Sequence, residues 1–478
     1  MEDFISFIQN GISKSKLLKM LQRQRQEGKT EIHSLVFYQD GQLLARVGIP
    51  PYTTVQQGQL YSLSKSFAAT AIGIACDLGL LHAEDRVIDL FPDKAPADPD
   101  PNWEALTVHH LLSMNTGHEA CTMSQIAASD DGVSAFFNCP LTHRPGTHFV
   151  YNTGATYMLS AIITRLTGET LFDFLYERLF YPLGIRPAQW QQSGGALSEG
   201  GVGLFLSCDD IAKLGLLYLN QGVYQGKRLL SAEWVRTAQS AHSDTTGNGT
   251  ADWSCGYGYQ LWRNARGGYR ADGAMGQYCL ILPEQKLVLA VLSESKDMQL
   301  ALDLLFEYLA DFRSADNEAA VDLPAALRSF YPPAQYQGEA VPSQYDGLYR
   351  LNPNLQGFTK VSLQSAKTQI CLDFTDGVRR QSVIAGNGVW IENRITAPAW
   401  KPTLIGLTPY LRAEESIFLA SCRMESDGKL CIDVRYTNCP HKGTYTIALQ
   451  DGNLTISLSH FAGTLYPEAA ELTGQRIL

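Results

Sequence analysis

A serine and a lysine three positions apart are the residues of this sequence whose spacing best suits covalent chemistry. Ser62 and Lys65 lie in YSLSKSF, which leads directly into an apolar stretch. In a helix this spacing puts both side chains on one face, with Ser62 at the N-terminus, where backbone N–H groups favour developing negative charge. A serine attacks a carbonyl when a base takes its proton, and a buried lysine can be that base. The pattern therefore predicts a nucleophile with its base.

The same pair has an ordinary structural interpretation. Ser-x-x-Lys is a common pattern, and such a serine can cap a helix while the lysine points to water. Taken alone, the pair does not decide between the two interpretations. The surrounding elements and further motifs must decide.

The elements around this pair predict one sheet, to which strands from the start and from the end of the region both contribute. Residues 32–48 alternate in polarity around Asp40-Gly41, as two strands of a hairpin do, and residues 278–293 hold a second candidate strand pair. Helix candidates lie between them. The first, at residues 64–81, is apolar on nearly every side, so we expect it to run through the middle of its domain and to bury Lys65.

Longer segments resemble the class C β-lactamase-like family of serine hydrolases, which are related to penicillin-binding proteins and form the SxxK acyltransferase group. The resemblance covers about residues 30–310. Besides SLSKSF, it is carried by LTVHHLLSMNTGH, RPGTHFVYNTGATYMLSAIITRLTG, GGVGLFLSCDDIAKLGLLYLNQGVYQGKRLL and YGYQLWRN. The resemblance implies a three-layer α/β sandwich, in which an antiparallel sheet has helices on both sides.

The resemblance also assigns a second group to proton transfer. Tyr151, in HFVYNTG, takes the place of the family's Tyr-x-Asn tyrosine and follows Ser62 by 89 residues. It would shuttle the proton between the serine and the leaving group. Thr153 stands where the motif has Asn, with Asn152 one place earlier. Both are candidate substrate-binding residues, although a hydroxyl lacks the donor and acceptor pair of a carboxamide.

The family's third element, Lys-Thr-Gly or His-x-Gly, aligns best with Asp272-Gly273-Ala274. The resemblance makes these residues candidates for substrate binding, and makes the backbone N–H groups of Met275 and Ser62 the oxyanion hole. Asp272 replaces a cation, which removes the attraction for a β-lactam carboxylate. We therefore expect weak β-lactamase activity at most, and a substrate with a cationic amine near the reacting carbonyl.

Other candidate sites fit less well. Ser129-Asp130-Asp131 imitates the class A Ser-Asp-Asn triplet but competes with the better-supported tyrosine. His109, His110 and His118 have no acidic partner at i+4, and the resemblance makes His110 structural. The glycine-rich segment GGALSEGGVGLF lacks the Lys and Ser/Thr of a phosphate loop. The sequence predicts neither a metal nor an organic cofactor.

The chain changes character after residue 314. Residues 315–344 carry prolines and small residues without a sustained period, which predicts a linker after a hydrolase domain of residues 1–314. Residues 345–478 contain short alternating runs separated by Asp-Gly pairs, a pattern typical of hairpins. We predict an all-β C-terminal domain, a barrel or a sandwich, that serves as a structural cap or as a binding module.

Composition limits the partners. The 478 residues carry a formal net charge of −10 without a Lys/Arg block, which disfavours nucleic acid and anionic membranes and favours a small-molecule or short-peptide substrate. The N-terminal residues build no signal-peptide core and no run could span a bilayer, so we expect a cytoplasmic protein. The ten cysteines form no CxxC pair and are expected to be reduced. Nothing predicts the oligomeric state.

Together these features predict a serine hydrolase that forms an acyl-enzyme on Ser62 and cleaves an ester or amide bond of a small substrate. Esterase, D-amino-acid amidase and peptidase activities all fit, because the fold does not choose among them. Two alternatives stay open. One is a peptide-cyclising acyltransferase, and the other is a non-hydrolytic acyl-binding sensor or binding module, which would acylate once and stall.

Overall fold

The computed structural model describes residues 7–9, 11–186, 189–193, 197–313, 321–335, 341–354, 357–396, 415–460 and 471–477. The chain divides into two compact units. The first unit comprises Met1–Gly48, Thr53–Ser293 and Asp297–Val321, and the second comprises Ile49–Tyr52, Glu294–Lys296 and Asp322–Leu478.

Within the described residues, fourteen strands precede the C-terminal region. They are β1 (Phe7–Ile8), β2 (Thr30–Gln39), β3 (Gln42–Gly48), β4 (Gly58–Gln59), β5 (Gln189–Trp190), β6 (Gln192–Ser193), β7 (Leu197–Ser198), β8 (Leu204–Leu206), β9 (Val223–Tyr224), β10 (Lys227–Arg228), β11 (Trp262–Arg263), β12 (Tyr269–Gly273), β13 (Gln277–Leu282) and β14 (Leu287–Ser295). Seven of them form the main sheet, in the order β1-β3-β2-β14-β13-β12-β11. The N-terminal hairpin β2–β3 thus meets strands from about 250 residues later, which confirms the predicted return of the chain.

Thirteen helices accompany these strands in the part of the chain that the structure describes. They are α1 (Lys14–Glu27), α2 (Ser64–Asp77), α3 (Val87–Leu90), α4 (Pro101–Ala105), α5 (Val108–Leu112), α6 (Met123–Ala127), α7 (Gly132–Phe137), α8 (Thr153–Thr167), α9 (Leu171–Leu175), α10 (Tyr181–Leu183), α11 (Cys208–Leu219), α12 (Ala232–Gln239) and α13 (Met298–Ala310). Among the described residues, no helix combines the length and the apolar character needed to cross a bilayer.

The layers of the first unit follow from burial. Strands β13 and β14 are buried along their whole length, so the sheet needs cover on both faces. Helices α1 and α13 pack against each other and on β2, while α11 packs on β2 and β13. Helix α2 is buried at nearly every position and packs against α8. The three-layer sandwich and the central position of α2 are therefore confirmed.

The described ranges of the second unit contain one further helix and ten strands. They are α14 (Leu323–Arg328), β15 (Gly347–Leu351), β16 (Lys360–Ser365), β17 (Gln369–Thr375), β18 (Arg380–Gly386), β19 (Ile391–Thr396), β20 (Glu415–Met424), β21 (Leu430–Tyr436), β22 (Lys442–Gln450), β23 (Asn453–His460) and β24 (Glu471–Arg476). The sheet order is β18-β17-β16-β15-β24-β23-β22-β21-β20-β19, and an additional β18–β20 pairing closes nine of these strands into a barrel.

The hairpins of this barrel form where the Asp-Gly pairs predict them. Gln450 pairs with Asn453 across Asp451-Gly452, and both turn residues have positive φ angles, as a tight two-residue turn requires. The segment predicted as a linker, residues 315–344, lies partly outside the described residues. Its described part contains α14, and from Asp322 onward it belongs to the second unit. The domain boundaries stay a prediction.

Candidate active site

Ser62 lies in a tight turn that leads into α2. The turn is the short 3₁₀ segment Tyr61–Leu63, and Tyr61 adopts a φ of 49° although it has a side chain. Ser64 fixes this strained turn, because its hydroxyl donates to the Tyr61 carbonyl at 2.6 Å and accepts from the Leu204 N–H at 3.2 Å. The half-buried Ser62 side chain is thereby held at the N-terminus of α2.

Lys65 is placed to act on Ser62. Its ammonium nitrogen lies 3.0 Å from Ser62 Oγ and donates to the Gly201 carbonyl at 2.8 Å. The side chain is 1% exposed, so the interpretation in which it points to water is wrong. Burial lowers the pKa of Lys65 to about 7, with partial opposition from Cys121 and Asp272. A substantial share of Lys65 is therefore neutral at neutral pH and able to accept a proton.

Tyr151 completes a triangle with these two residues. A hydrogen bond joins its hydroxyl to Ser62, and the Lys65 ammonium nitrogen lies 4.9 Å from the centre of the tyrosine ring. The ring stacks on Trp262, with 5.6 Å between centroids. Burial raises the pKa of Tyr151, and the hydrogen bond from Ser62 opposes this only in part. Tyr151 is therefore a neutral phenol, which leaves Lys65 as the base of the pair.

The end of β12 approaches the serine turn closely. A Cβ atom added at Gly273 would lie 2.1 Å from the Leu60 carbonyl oxygen, so only glycine permits this approach. The following turn is held by Ser293, whose hydroxyl donates to the carbonyls of Met275 and Gly276 at 2.9 and 2.7 Å. Met275 has a φ of 65°. The Met275 amide thus sits in a fixed turn, and its role in an oxyanion hole stays a prediction.

Asp272 does not present the free carboxylate that the sequence suggested. Its carboxylate accepts a hydrogen bond from Arg270 Nε at 2.8 Å, and both residues are buried. Burial raises the pKa of Asp272, while the Arg270 charge opposes the rise. Asp272 is therefore part of an ion pair rather than a free anion. Ala274, two positions after Asp272, is half-buried, and its carbonyl accepts from the Gln277 side chain at 3.0 Å.

Asn152 and Thr153 occupy different environments. Asn152 is fully buried, and its carboxamide oxygen accepts from the Thr122 N–H and from the Gly154 N–H, each at 3.0 Å. It caps α8 and so fixes Tyr151 beside it. Thr153 is half-buried, and its N–H donates to Cys121 Sγ at 3.3 Å. Substrate binding by either residue stays a prediction, which the burial of Asn152 does not favour.

Two residues that support the triangle were not predicted. Gly201 supplies the carbonyl that holds Lys65, from the glycine-rich segment that the sequence excluded as a phosphate loop. Gln260 ties three helices together. Its side chain donates to the Leu112 carbonyl at 2.8 Å and accepts from Thr156 at 2.7 Å, and its own carbonyl accepts from Ser66 at 2.7 Å. Only tertiary packing reveals these contacts; the one sequence signal was that both residues lie in segments that carry the resemblance.

The candidates set aside in the sequence serve the fold. His110 accepts from the Thr107 N–H at 3.1 Å in a capping box at the start of α5. Asp131 caps α7 and pairs with Lys94 at 2.6 Å. Neither residue is among those that contact Ser62, Lys65 or Tyr151.

Comparisons with known proteins give one family model and several relatives. A family model described as Beta-lactamase matches residues 19–310. Penicillin-binding protein 4 of Amycolatopsis lactamdurans is 26% identical over 59% of this chain and 82% of its own length. The 6-aminohexanoate-dimer hydrolase of Paenarthrobacter ureafaciens is 27% identical over 50% and 66% of the two chains. Lovastatin esterase of Penicillium rubens is 31% identical, but the match covers only 20% and 27%.

Solved structures show the same fold. The octameric penicillin-binding protein homologue of Pyrococcus abyssi has a TM-score of 0.50 at 16% identity, over 96% of this chain and 98% of its own. EstCE1, described as a hydrolase with promiscuous acyltransferase activity, has a TM-score of 0.50 at 17% identity, over 60% and 96%. The first likeness extends through both units.

Proposed function

The chain belongs to the beta-lactamase family, and from this premise we propose that it is a serine hydrolase that acylates Ser62 and cleaves ester or amide bonds of small substrates. The observation that carries the proposal is the triangle of Ser62, Lys65 and Tyr151. A lysine with a pKa of about 7 lies 3.0 Å from a serine hydroxyl, which is the condition for a base at neutral pH.

The reaction follows from the protonation states. Neutral Lys65 takes the Ser62 proton as Oγ attacks the carbonyl carbon, and the oxyanion forms at the backbone N–H groups of Ser62 and Met275. Tyr151 then gives its proton to the leaving group and regains one from Lys65. In the second half, water attacks the acyl carbon and loses its proton to Lys65 through Tyr151, while Ser62 Oγ leaves and is reprotonated. One proton departs with the leaving group and one enters from water, so Ser62, Lys65 and Tyr151 end in their starting protonation states.

The aromatic residues beside Tyr151 support an apolar group on the substrate. Phe149 is half-buried, and its ring lies 5.5 Å from Tyr257 and 5.7 Å from Trp262, measured between centroids. Tyr257 and Trp262 are buried, so Phe149 is the ring of this cluster that can contact a substrate, and a fixed aromatic ring offers apolar surface at small cost in side-chain entropy. We therefore favour esters of apolar acyl groups over highly charged substrates.

The pairing of Asp272 with Arg270 bears on substrate charge. An ion pair presents far less net charge than the free carboxylate that the sequence suggested. The expectation of a cationic amine on the substrate loses its main support. The expectation of weak β-lactamase activity stands as a proposal, because position 272 still offers no free cation.

The decisive experiment combines labelling with turnover. Wild type, Ser62→Ala and the control Ser459→Ala, an exposed serine of the second unit, are incubated with a fluorophosphonate and weighed as intact proteins. The same proteins are assayed with p-nitrophenyl esters of graded acyl length and with D-amino-acid p-nitroanilides. We expect one adduct and repeated turnover in wild type and Ser459→Ala, and neither in Ser62→Ala.

Other outcomes select other functions. If Ser62→Ala labels and turns over like wild type, Ser62 is not the nucleophile. If wild type acylates without turnover, it is the sensor. A product formed with an added amine or alcohol in place of water identifies an acyltransferase, the activity described for the structural neighbour EstCE1. The predicted cytoplasmic location is a separate proposal that cell fractionation would test.

A further inference from the structure

Away from Ser62, two histidines and a glutamate of the first unit converge at the surface. We propose that Glu119, His143 and His148 form a binding site for one divalent transition-metal ion of the zinc class. The site takes no part in the acyl-transfer steps. His148 is three residues before Tyr151 in the chain, so a metal ion would bind beside the segment that carries the catalytic tyrosine.

The three side chains offer ligand atoms at the right separation. His143 Nε2 lies 2.9 Å from Glu119 Oε2, and one ligand atom from each residue falls within 4.8 Å of the other two. Bonds of about 2.0–2.2 Å in tetrahedral geometry place neighbouring ligand atoms about 3.3–3.6 Å apart. Small rotations of partly exposed side chains suffice to reach that spacing. Two imidazoles and a carboxylate are ligands that suit zinc, and the fourth position is left for water.

The backbone already holds these side chains together. The His143 N–H donates to the Gly117 carbonyl at 3.0 Å, and the Val150 N–H donates to the Met114 carbonyl at 2.9 Å. Gly117 has a φ of 93°, and a Cβ atom added there would lie 2.3 Å from the His143 carbonyl oxygen. The two segments are therefore fixed against each other before any ion binds, so little chain ordering opposes binding.

An ordinary ion pair explains only part of this arrangement. His143 and Glu119 could pair as charges, although exposed pairs contribute little to stability. The pair does not account for His148, whose ring stacks on His143 with 4.1 Å between centroids. One shared metal ion would account for both rings at once, because each imidazole has a nitrogen of the kind that zinc binds.

Local spacing could not reveal this group. His109, His110 and His118 offer no ligand face at helical spacing, whereas Glu119 and His143 are 24 positions apart in the sequence. The antiparallel bridge between His118 and Leu141 brings the two segments side by side. The expectation that the reaction needs no metal is unaffected.

The test measures binding of Co²⁺ and Zn²⁺ to the full chain after removal of metal with a chelator. Cobalt bound by histidines and a carboxylate gives visible absorption bands, and Zn²⁺ should abolish them at one equivalent per chain. We expect the bands in wild type and in the control His82→Ala, which removes an exposed histidine elsewhere in the first unit. The double variant His143→Ala/His148→Ala should lose them.

A conservative variant guards against misfolding. Glu119→Gln keeps the size of the side chain and should weaken Co²⁺ affinity at least about tenfold, with an unchanged circular dichroism spectrum. The proposal is overturned if wild type shows no saturable binding at one equivalent. It is also overturned if the double variant or Glu119→Gln binds as wild type does, or if His82→Ala loses binding equally, since the ion would then sit on scattered surface histidines.

Discussion

The two units differ in where they place strained backbone. Among the described residues of the first unit, eight non-glycine residues have positive φ angles. Tyr61, Gln260 and Met275 lie around the serine turn or the helices that support it, while others, such as Asp40 and Lys286, lie in turns that connect strands of the main sheet. In the described part of the second unit, Asp451 alone among non-glycine residues has a positive φ, and it lies in a hairpin turn that demands it. Strain of this kind costs about 1–3 kcal/mol per residue and persists only where the surrounding structure enforces it.

The two units also differ in where they place charge. Lys65 and Arg270 are 1% and 0% exposed, and Lys65 faces the nucleophile. In the barrel, charged pairs such as Arg380 with Asp373 lie at outward-facing strand positions, although the second unit also buries one pair, Glu294 with His441. Buried charge destabilises a fold and is retained where chemistry needs a shifted pKa. The comparison implies that substitutions in the first unit trade stability for turnover, while those in the barrel change stability alone.

The largest effect should come from Lys65→Met. Without its base, turnover of a p-nitrophenyl ester should fall about 10³-fold or more. Stability should rise. The pKa of Lys65 is lowered to about 7 from 10.5, so the unfolded state binds the proton more tightly than the folded state does. This difference lowers the free energy of unfolding fully below pH 7, by less as the pH rises, and not at all above pH 10.5. Removing it should raise the free energy of unfolding at pH 7 by about 1–3 kcal/mol in urea titrations.

The matched control is Lys429→Met, which removes an exposed lysine of the barrel that pairs with Asp427. It should change neither turnover nor urea midpoint measurably. If Lys65→Met keeps its activity, Lys65 is not needed for turnover. If the variant is less stable than wild type, Lys65 stabilises the fold, and either result would contradict the difference drawn between the two units.

The second effect contrasts two tyrosines. Tyr151→Phe should lower kcat about 10²- to 10³-fold with little change in KM, because the leaving group loses its proton donor. Tyr349 is a buried barrel tyrosine whose hydroxyl donates to the Tyr345 carbonyl at 2.7 Å. Tyr349→Phe should leave kcat unchanged and lower the free energy of unfolding by about 1–2 kcal/mol. Steady-state kinetics and urea titrations on both variants measure this, and a reversed pattern would contradict the contrast.

In both units, the features that the sequence predicted correctly are those set by residues close together in the chain. Ser62 and Lys65 meet because helical periodicity brings i and i+3 together, and Asp451-Gly452 turns because its residues tolerate positive φ. Tyr151 is different. No local rule brings a residue 89 positions away to Ser62, and only the resemblance pointed to it.

The contacts that sequence analysis missed depend on tertiary packing. Gly201 reaches Lys65 from a loop 136 positions away, and the cap formed by Asn152 depends on Thr122 from another helix. One miss was avoidable. Arg270 and Asp272 are two apart on β12 and therefore share a face of the sheet, so their pairing follows from strand periodicity.

The third effect tests close approach. Gly273→Ala should lower turnover about 10- to 100-fold, because its Cβ must displace the Leu60 carbonyl oxygen, 2.1 Å away, and with it the serine turn. Gly377→Ala in the barrel has open space around its Cβ but a φ of 95°. It should cost about 1 kcal/mol of stability and no turnover. Equal kinetics for the two variants would show that the serine turn tolerates displacement.

The smallest effect needs no substitution and uses pH. If neutral Lys65 is the base, kcat/KM should fall about tenfold per pH unit below the Lys65 pKa of about 7, and level off above it. Initial rates measured between about pH 3.5 and 9 cover this limb and the carboxylate range. Urea titrations at the same pH values show whether the barrel and the rest of the fold stay intact. A limb centred near pH 4–5 would identify a carboxylate as the base instead. Asp272, which pairs with Arg270, would then be the residue to substitute next. The functional difference between the two units would in that case come from this ion pair and not from Lys65.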